Sequence, residues 1–441
     1  MKPVAQAVAA ARRWRFQTAR LWLRWKPRLR WWSAAAAIGL VAALFTRGAE
    51  WAYSQLMAWT TWLPAISLLL APLGIMAIVW VTRRLVPTAA GSGIPQVLAV
   101  LHHADDDLRK RMLSLHVGLL KPVLTVIALL CGASVGREGP TVQIGAAIAN
   151  FVGRHNSTRV RRSLILAGGA AGVAAAFNTP IAGIVFAIEE LASSLEEKAS
   201  GTLLLLVIIA ALAAIAVLGD RVYLGIVDTN LDHFSQWRAV LICGLVGGLA
   251  GGLFSRLLYA GSHAARRYVS QHGLRWAMLC GVLIAVLGII SHGTTYGSGY
   301  AEARALLEND TAVSIWYPLQ RALATWLAYV SGVPGGIFSP SLAAGAGLGA
   351  DLARFIDFAP PAAVILLTMA AYFAGATQAP LTAAVIVAEM TLGQKMTLPL
   401  MGAALLGGGT ARLVWRDSIY HALMRDLLPA PAPVTTPETS R

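Results

Sequence analysis

Charge is scarce in this chain, and acid is scarcer than base. Its 441 residues hold 36 Lys and Arg against 21 Asp and Glu, and charged residues make up 13% of the total. An ordinary soluble domain carries about 25%, so a large water-facing surface is excluded. Cysteine is nearly absent too: Cys131, Cys243 and Cys280 lie far apart inside apolar segments. That excludes a disulfide scaffold and fits no zinc spacing, so the three read as small packing residues. No nucleophile–base cluster, metal-ligand spacing or nucleotide-binding loop occurs, so neither an enzyme nor a resident metal or cofactor is expected. What fills the chain is hydrocarbon, with 57% hydrophobic residues, a mean hydropathy of +0.63 and apolar segments of membrane-crossing length recurring along it. The chain reads as an all-α, polytopic membrane protein.

The net charge of +15 is not arranged as a nucleic-acid-binding face. Arg12, Arg13, Arg15, Arg20, Arg24, Lys26, Arg28 and Arg30 crowd the N-terminus, interleaved with Trp14, Trp22, Trp25, Trp31 and Trp32. This pattern reads as a basic interfacial helix over 1–32 on the cytoplasmic leaflet, too charged for the apolar core of a signal peptide. Arg412, Arg416 and Arg425 place the C-terminal end on the same side, so both termini are expected to be cytoplasmic. Asp220, Asp228 and Asp232 against Arg221 suit an outer linker over 219–237.

Candidate spans fall at about 33–46, 62–82, 113–131, 163–176, 180–190, 202–219, 238–260, 276–291, 316–331, 362–375, 380–391 and 396–411. Several are too short for a full crossing, which predicts broken or re-entrant helices buried against other protein. The stretch 428–441, rich in Pro and Thr, reads as a disordered cytoplasmic tail. His102 to Asp107 offers histidines and acids but runs into Arg109, Lys110 and Arg111, so a solvated loop is preferred to a metal site. Gly244, Gly248 and Gly252 form a small-residue stripe for close helix packing. Asn156-Ser157-Thr158 fits a glycosylation pattern with no secretory context to support it.

An internal repeat organises the rest. Pro140–Gly145 lines up with Pro340–Gly345, and Thr179–Glu189 with Ala379–Glu389, each 200 positions on; Gly91-Ser92-Gly93 pairs with Gly297-Ser298-Gly299. The halves are 33–218 and 238–427. With both ends on one side and the linker on the other, each half crosses an odd number of times, so the repeats are inverted and a substrate site lies between them at mid-membrane. The repeat also sorts the acids. Glu189 has a counterpart in Glu389, favouring a shared structural hydrogen bond. Glu138 aligns with Phe338 and Glu190 with Met390. An acid at bilayer depth is costly, and one needed by only one half points to function.

Three glycine-containing breaks each precede a helix-like run: Gly91-Ser92-Gly93-Ile94-Pro95, Gly136-Arg137-Glu138-Gly139-Pro140 and Gly335-Gly336-Ile337-Phe338-Ser339-Pro340. Each aims a helix N-terminus, with free N–H groups and partial positive charge, at a common site. Such a site holds a partly dehydrated anion without the grip of a full cation. A carboxylate at Glu138 would compete with that anion.

In this order the three segments resemble the signature motifs of the CLC chloride channel and transporter family, over about residues 35–427. The resemblance implies the CLC fold of tilted and broken helices in two inverted repeats, one anion pathway per subunit and a homodimer. Thr202–Leu218 and the region 396–411 would supply the dimer face. It further implies chloride coordinated by the Ser92 and Tyr420 hydroxyls and the Ile337 and Phe338 N–H groups. Glu138 falls on the external gating glutamate and proton acceptor, and Glu190 on the internal proton-transfer glutamate of exchangers. A nearby chloride disfavours an ionised Glu138, which couples anion to proton. Ser92 resembles chloride-preferring members. Lys121 and Arg321 match basic positions of bacterial exchangers; Lys121 either tunes the field near the pathway or serves as a snorkelling or helix-end residue. Gln96, Leu98 and His102 stand where some relatives carry acids. The expectation is a chloride/proton antiporter of a bacterial cytoplasmic membrane, with a passive channel of the same filter as the alternative.

Overall fold

The computed structural model describes residues 2–103, 105–192, 201–308 and 313–428, with the backbone alone at 2–27, 267 and 394. The 428–441 tail lies outside the described residues apart from Leu428, as do the side chains of the basic N-terminal cluster before Arg28. Apart from two isolated bridges, every regular element described is helical. Backbone groups in lipid must be satisfied within the segment, and helices do this.

The first half runs α1 (Lys2–Trp62), α2 (Ser67–Leu85), α3 (Ile94–His102), α4 (Asp106–Met112), α5 (Leu115–Leu130), α6 (Glu138–Val152), α7 (Thr158–Phe177), α8 (Pro180–Phe186) with a π turn (Ala187–Leu191), and α9 (Gly201–Leu218). The second runs α10 (Arg238–Ile290), α11 (Tyr300–Leu307), α12 (Tyr317–Ser331), α13 (Phe338–Ala353), α14 (Pro361–Thr377), α15 (Pro380–Thr391), α16 (Thr397–Ala411) and α17 (Ile419–Arg425). Among the described residues seven helical stretches are long and apolar enough to cross a membrane, from Arg28–Trp62 to Tyr268–Ile290.

One boundary differs from the sequence reading. The expected break between an interfacial helix ending at 32 and a span at 33–46 is absent: α1 continues to Trp62. No Pro or Gly falls from Arg28 to Ile38 to stop it. The spans expected at 238–260 and 276–291 are the two arms of α10, which meet at a kink where His272 leaves helical geometry (φ −126°, ψ 32°). Asp105–Met112 is also more ordered than a loop. Asp105 caps α4 by accepting the Asp107 N–H at 2.8 Å, and Arg109 pairs with Asp106 at 2.5 Å. The glycine stripe packs as expected, since a Cβ on Gly248 would stand 2.4 Å from the Gly407 carbonyl oxygen of α16.

The repeat is structural as well as sequential. α7 and α14 end on left-handed non-glycine residues, Asn178 (φ 57°) and Gln378 (φ 60°), a conformation that L side chains rarely adopt. Each is followed by a helix opening on proline, α8 and α15. The halves then exchange the same contact. Glu189 accepts the N–H groups of Leu381 (3.0 Å) and Thr382 (2.7 Å) at the start of α15. Glu389 accepts those of Ile181 (3.1 Å) and Ala182 (2.6 Å) at the start of α8. A reciprocal contact of this kind requires a two-fold relation between the halves. A carboxylate at a helix N-terminus also satisfies donors that nothing else in lipid would reach. Glu189 is therefore a structural cap.

α7 and α14 are buried along most of their length, in a core rich in alanine. The periphery exposes leucine and isoleucine instead. On α9 these include Leu204, Leu205, Ile208 and Leu212, and on α16 Leu398 and Leu405.

Candidate functional site

The three glycine breaks meet. Gly136 and Gly336 exchange both main-chain hydrogen bonds at 2.7 Å, while Gly91 donates to Val333 O (3.2 Å) and accepts from Gly335 N–H (3.1 Å). This pairing fixes the starts of α3, α6 and α13 side by side. Pro95, Pro140 and Pro340 sit in the first turns, where proline loses no hydrogen bond. Gly93 supplies the left-handed turn (φ 105°) into α3. Gly139 lies where the three breaks touch: a Cβ there would stand 2.4 Å from Ser92 Oγ and 3.3 Å from Gly336 Cα.

Around this junction stand donors with no protein acceptor. Ser92 Oγ and Tyr420 Oη are buried without a hydrogen-bond partner among the described residues. The N–H groups of Ile337 and Phe338, at the open end of α13, likewise have no acceptor there. Phe338 stacks on Tyr420 with ring centres 5.8 Å apart, which seats the phenol beside that helix start. Leaving a buried donor unsatisfied costs about 1–3 kcal/mol. A cluster of such donors, with no full cation among them, suits a small anion.

Glu138 opens α6 and is fully buried. Its carboxylate accepts hydrogen bonds from Tyr300 Oη (2.7 Å) and Ser339 Oγ (3.1 Å). It folds back over Gly136, where a Cβ would stand 2.3 Å from Oε2. So glycine at 136 is required by space as well as by the main-chain pairing. Arg137, its neighbour, keeps Nε 3.9 Å from Glu138 Oε1 but extends towards two rings and a second acid. Its guanidinium lies 4.8 Å from the ring centre of Tyr223 and 5.3 Å from that of Tyr300. It is 3.7 Å from Glu50, which also binds Arg221 at 3.0 Å. Arg137, Glu50, Tyr223 and Tyr300 line a small cavity of about 150 Å³ on the side of the 219–237 linker.

Tyr300 escaped the sequence reading. The preceding Gly297-Ser298-Gly299 marks α11 as the partner of α3, but nothing local says that the side chain reaches an acid 162 positions away. Tyr300→Phe removes a hydrogen bond to a charged group, worth about 1.5–3 kcal/mol. The carboxylate should then be displaced more readily, raising anion turnover several-fold at alkaline pH, as measured by efflux from liposomes. An unchanged rate would show that Tyr300 does not hold the acid.

Glu190 sits in the π turn after α8, closed by Ala192 N–H to Ala187 O at 2.8 Å. The turn sends the adjacent acids different ways: Glu189 to α15, and Glu190 to α17. Glu190 is 5% exposed and accepts a hydrogen bond from Ser418 Oγ at 2.9 Å. His421 Nδ1 lies 3.3 Å from the same oxygen. Thus α17 serves both regions, Tyr420 facing the anion donors while Ser418 and His421 face the acid.

The two basic positions separate. Lys121 lies mid-helix in α5, fully buried, donating to Gln143 Oε1 at 2.7 Å. Neither snorkelling nor a helix-end role fits that placement. Gln143 is itself anchored to Met112 O (2.8 Å), and its Oε1 lies 3.0 Å from where a Gly93 Cβ would be. Lys121 Nζ therefore stands behind the first glycine break, linked to it through Gln143. Arg321 is a clasp: it donates to the carbonyls of Thr294, Thr295, Tyr296 and Gly297 and to Glu302 Oε2, ordering the loop before α11.

Residues 74–412 match the family model described as voltage gated chloride channel. The chain belongs to this family, the CLC proteins. Among CLC relatives, it is 28% identical to the H(+)/Cl(-) exchange transporter ClcA of Yersinia pseudotuberculosis over 450 residues, covering 92% of each chain. It is 30% identical to the ClcA exchange transporter of Salmonella paratyphi A, covering 91% of this chain and 90% of that one. A solved slow cyanobacterial Cl-/H+ antiporter superposes with a TM-score of 0.79 at 26% identity, covering 90% of this chain and 98% of that one. The CLC fold of broken helices in two inverted halves is thus this chain's fold.

Proposed function

We propose that this CLC protein is a chloride/proton antiporter rather than an enzyme, carrying chloride across a bacterial cytoplasmic membrane against protons. The observation that carries the reading is Glu138: a buried carboxylate, absent from the other half, held by two hydroxyls with Arg137 Nε 3.9 Å away, beside a cluster of unspent anion donors. Chloride is held by the Ser92 and Tyr420 hydroxyls and the Ile337 and Phe338 N–H groups. An ionised Glu138 occupies the adjoining position as a tethered anion. Protonation removes its charge, frees it to swing away and lets chloride pass. Glu190 exchanges protons with the opposite, cytoplasmic side. The resemblance of the whole chain to named exchange transporters supports the same assignment.

The subunits pair as a homodimer through the exposed leucines and isoleucines of α9 and α16, and both termini face the cytoplasm. No nucleic acid, metal or cofactor takes part; the transported ions are the ligands.

Reconstitution in liposomes tests this. Under an imposed chloride gradient the protein should drive protons uphill. Chloride movement without proton movement would leave a passive channel with the same filter.

A further inference from the structure

Beyond the two acids, a third titratable group touches the pathway. We propose that His421 takes protons from cytoplasmic water and hands them to Glu190, resting on the reading of Glu190 as the inner proton-transfer acid. Three observations on separate elements converge. His421, on α17, is partly exposed: its side chain keeps 35% of its accessibility, against 4% for that of Glu190, from which it is 3.3 Å away. His102, at the exposed end of α3, meets it edge-on with ring centres 5.6 Å apart. Exposure therefore rises stepwise from acid to imidazole to solvent. Imidazole is the side chain whose ordinary titration falls near neutral pH, so it loads and unloads at cytoplasmic pH.

The step balances. A proton from water forms the Nε2–H bond of His421. The Nδ1–H bond then breaks as that proton passes to Glu190 Oε1, and a ring flip returns the protonated nitrogen to the acid. The reverse sequence releases a proton. His102 cannot relay in the same way, because its Nδ1 is engaged with Leu98 O at 3.0 Å; it exchanges at Nε2 and, when charged, repels a second charge on His421. The other groups around the pair are Asp417, just before α17, and Arg425 at its end, ion-paired to each other, with His103 and Arg162 facing His102. At the far end of α17, Asp426 is bound by Arg266 of α10 at 2.5 Å. Among these groups only the imidazoles titrate ordinarily near neutral pH, and of the three His421 alone touches Glu190.

The test compares wild type, His421→Gln, His421→Ala and Glu190→Gln as full-length proteins in liposomes, with proton and chloride fluxes read at several internal pH values. Each His421 variant should cut proton flux by about a hundredfold, the lower end for the loss of a positioned acid–base group, and should lose the near-neutral step of the pH profile. Imidazole buffer inside the liposomes should restore flux to His421→Ala. Folding is checked by chloride efflux in the Glu138→Gln background, which needs no proton. Wild-type proton flux and pH profile in both His421 variants, with Glu190→Gln inactive for protons, would overturn the His421 assignment alone. Full proton flux in Glu190→Gln would overturn the Glu190 reading and the hand-off with it.

Discussion

Glu138→Gln should keep moving chloride and stop moving protons. Glutamine matches the carboxylate in size: its one oxygen still accepts from one of the hydroxyls of Tyr300 and Ser339, which reach separate oxygens of Glu138, and its NH2 donates to the other, so the start of α6 is undisturbed. What is lost is charge. The two hydroxyl contacts become neutral hydrogen bonds, roughly half as strong as those to an ionised acceptor. The side chain then no longer competes with chloride as a second anion, and it has no proton to release. Chloride efflux from liposomes should therefore continue and lose its pH dependence, while a pH electrode detects no coupled proton movement under a chloride gradient. If coupling were retained, Glu138 would not be the exchanging group.

The second large effect is expected at Glu190→Gln. The amide still accepts the Ser418 hydrogen bond, so the π turn and α17 should hold together. It offers no exchangeable proton at physiological pH, and the inner route loses its acid. Proton transport should fall by at least about a hundredfold, the lower end for removing a positioned proton-transfer group, while chloride binding stays intact because the anion donors are untouched. Isothermal titration with chloride alongside proton flux separates the two. A loss of chloride binding equal to the loss of proton flux would point instead to a collapse of α17, which also carries Tyr420.

Much of this was legible in the chain. The ends of α5, α12, α14 and α15 fall within a few residues of the expected spans, because hydrophobic length is decisive in a bilayer. The starts of α3, α6 and α13 followed from glycine and proline chemistry, and the sorting of the acids from the repeat: symmetric Glu189 and Glu389 are caps, and asymmetric Glu138 and Glu190 are not. Three things were hidden. The π turn at Ala187–Leu191 has no marker in composition, yet it decides which way the adjacent acids point. Tyr300 and Ser339 reach Glu138 across long stretches of chain. In a membrane both faces of a helix are apolar, so periodicity does not reveal which residue faces which. The depth of Lys121 was hidden for the same reason.

The main-chain pairing at the centre bears on how transport can proceed. Many transporters built from inverted repeats alternate access by rocking one half against the other. Here the seam is stitched where such rocking would have to open it, by the bonds between Gly136 and Gly336 and between Gly91 and its neighbours. Parting the halves would break these four, at about 0.5–1.5 kcal/mol each, together with the two carboxylate clasps between α8 and α15. A monatomic cargo makes such an opening unnecessary. In the proposed cycle the moving element is the Glu138 side chain alone, and the cycle can run within an almost rigid frame.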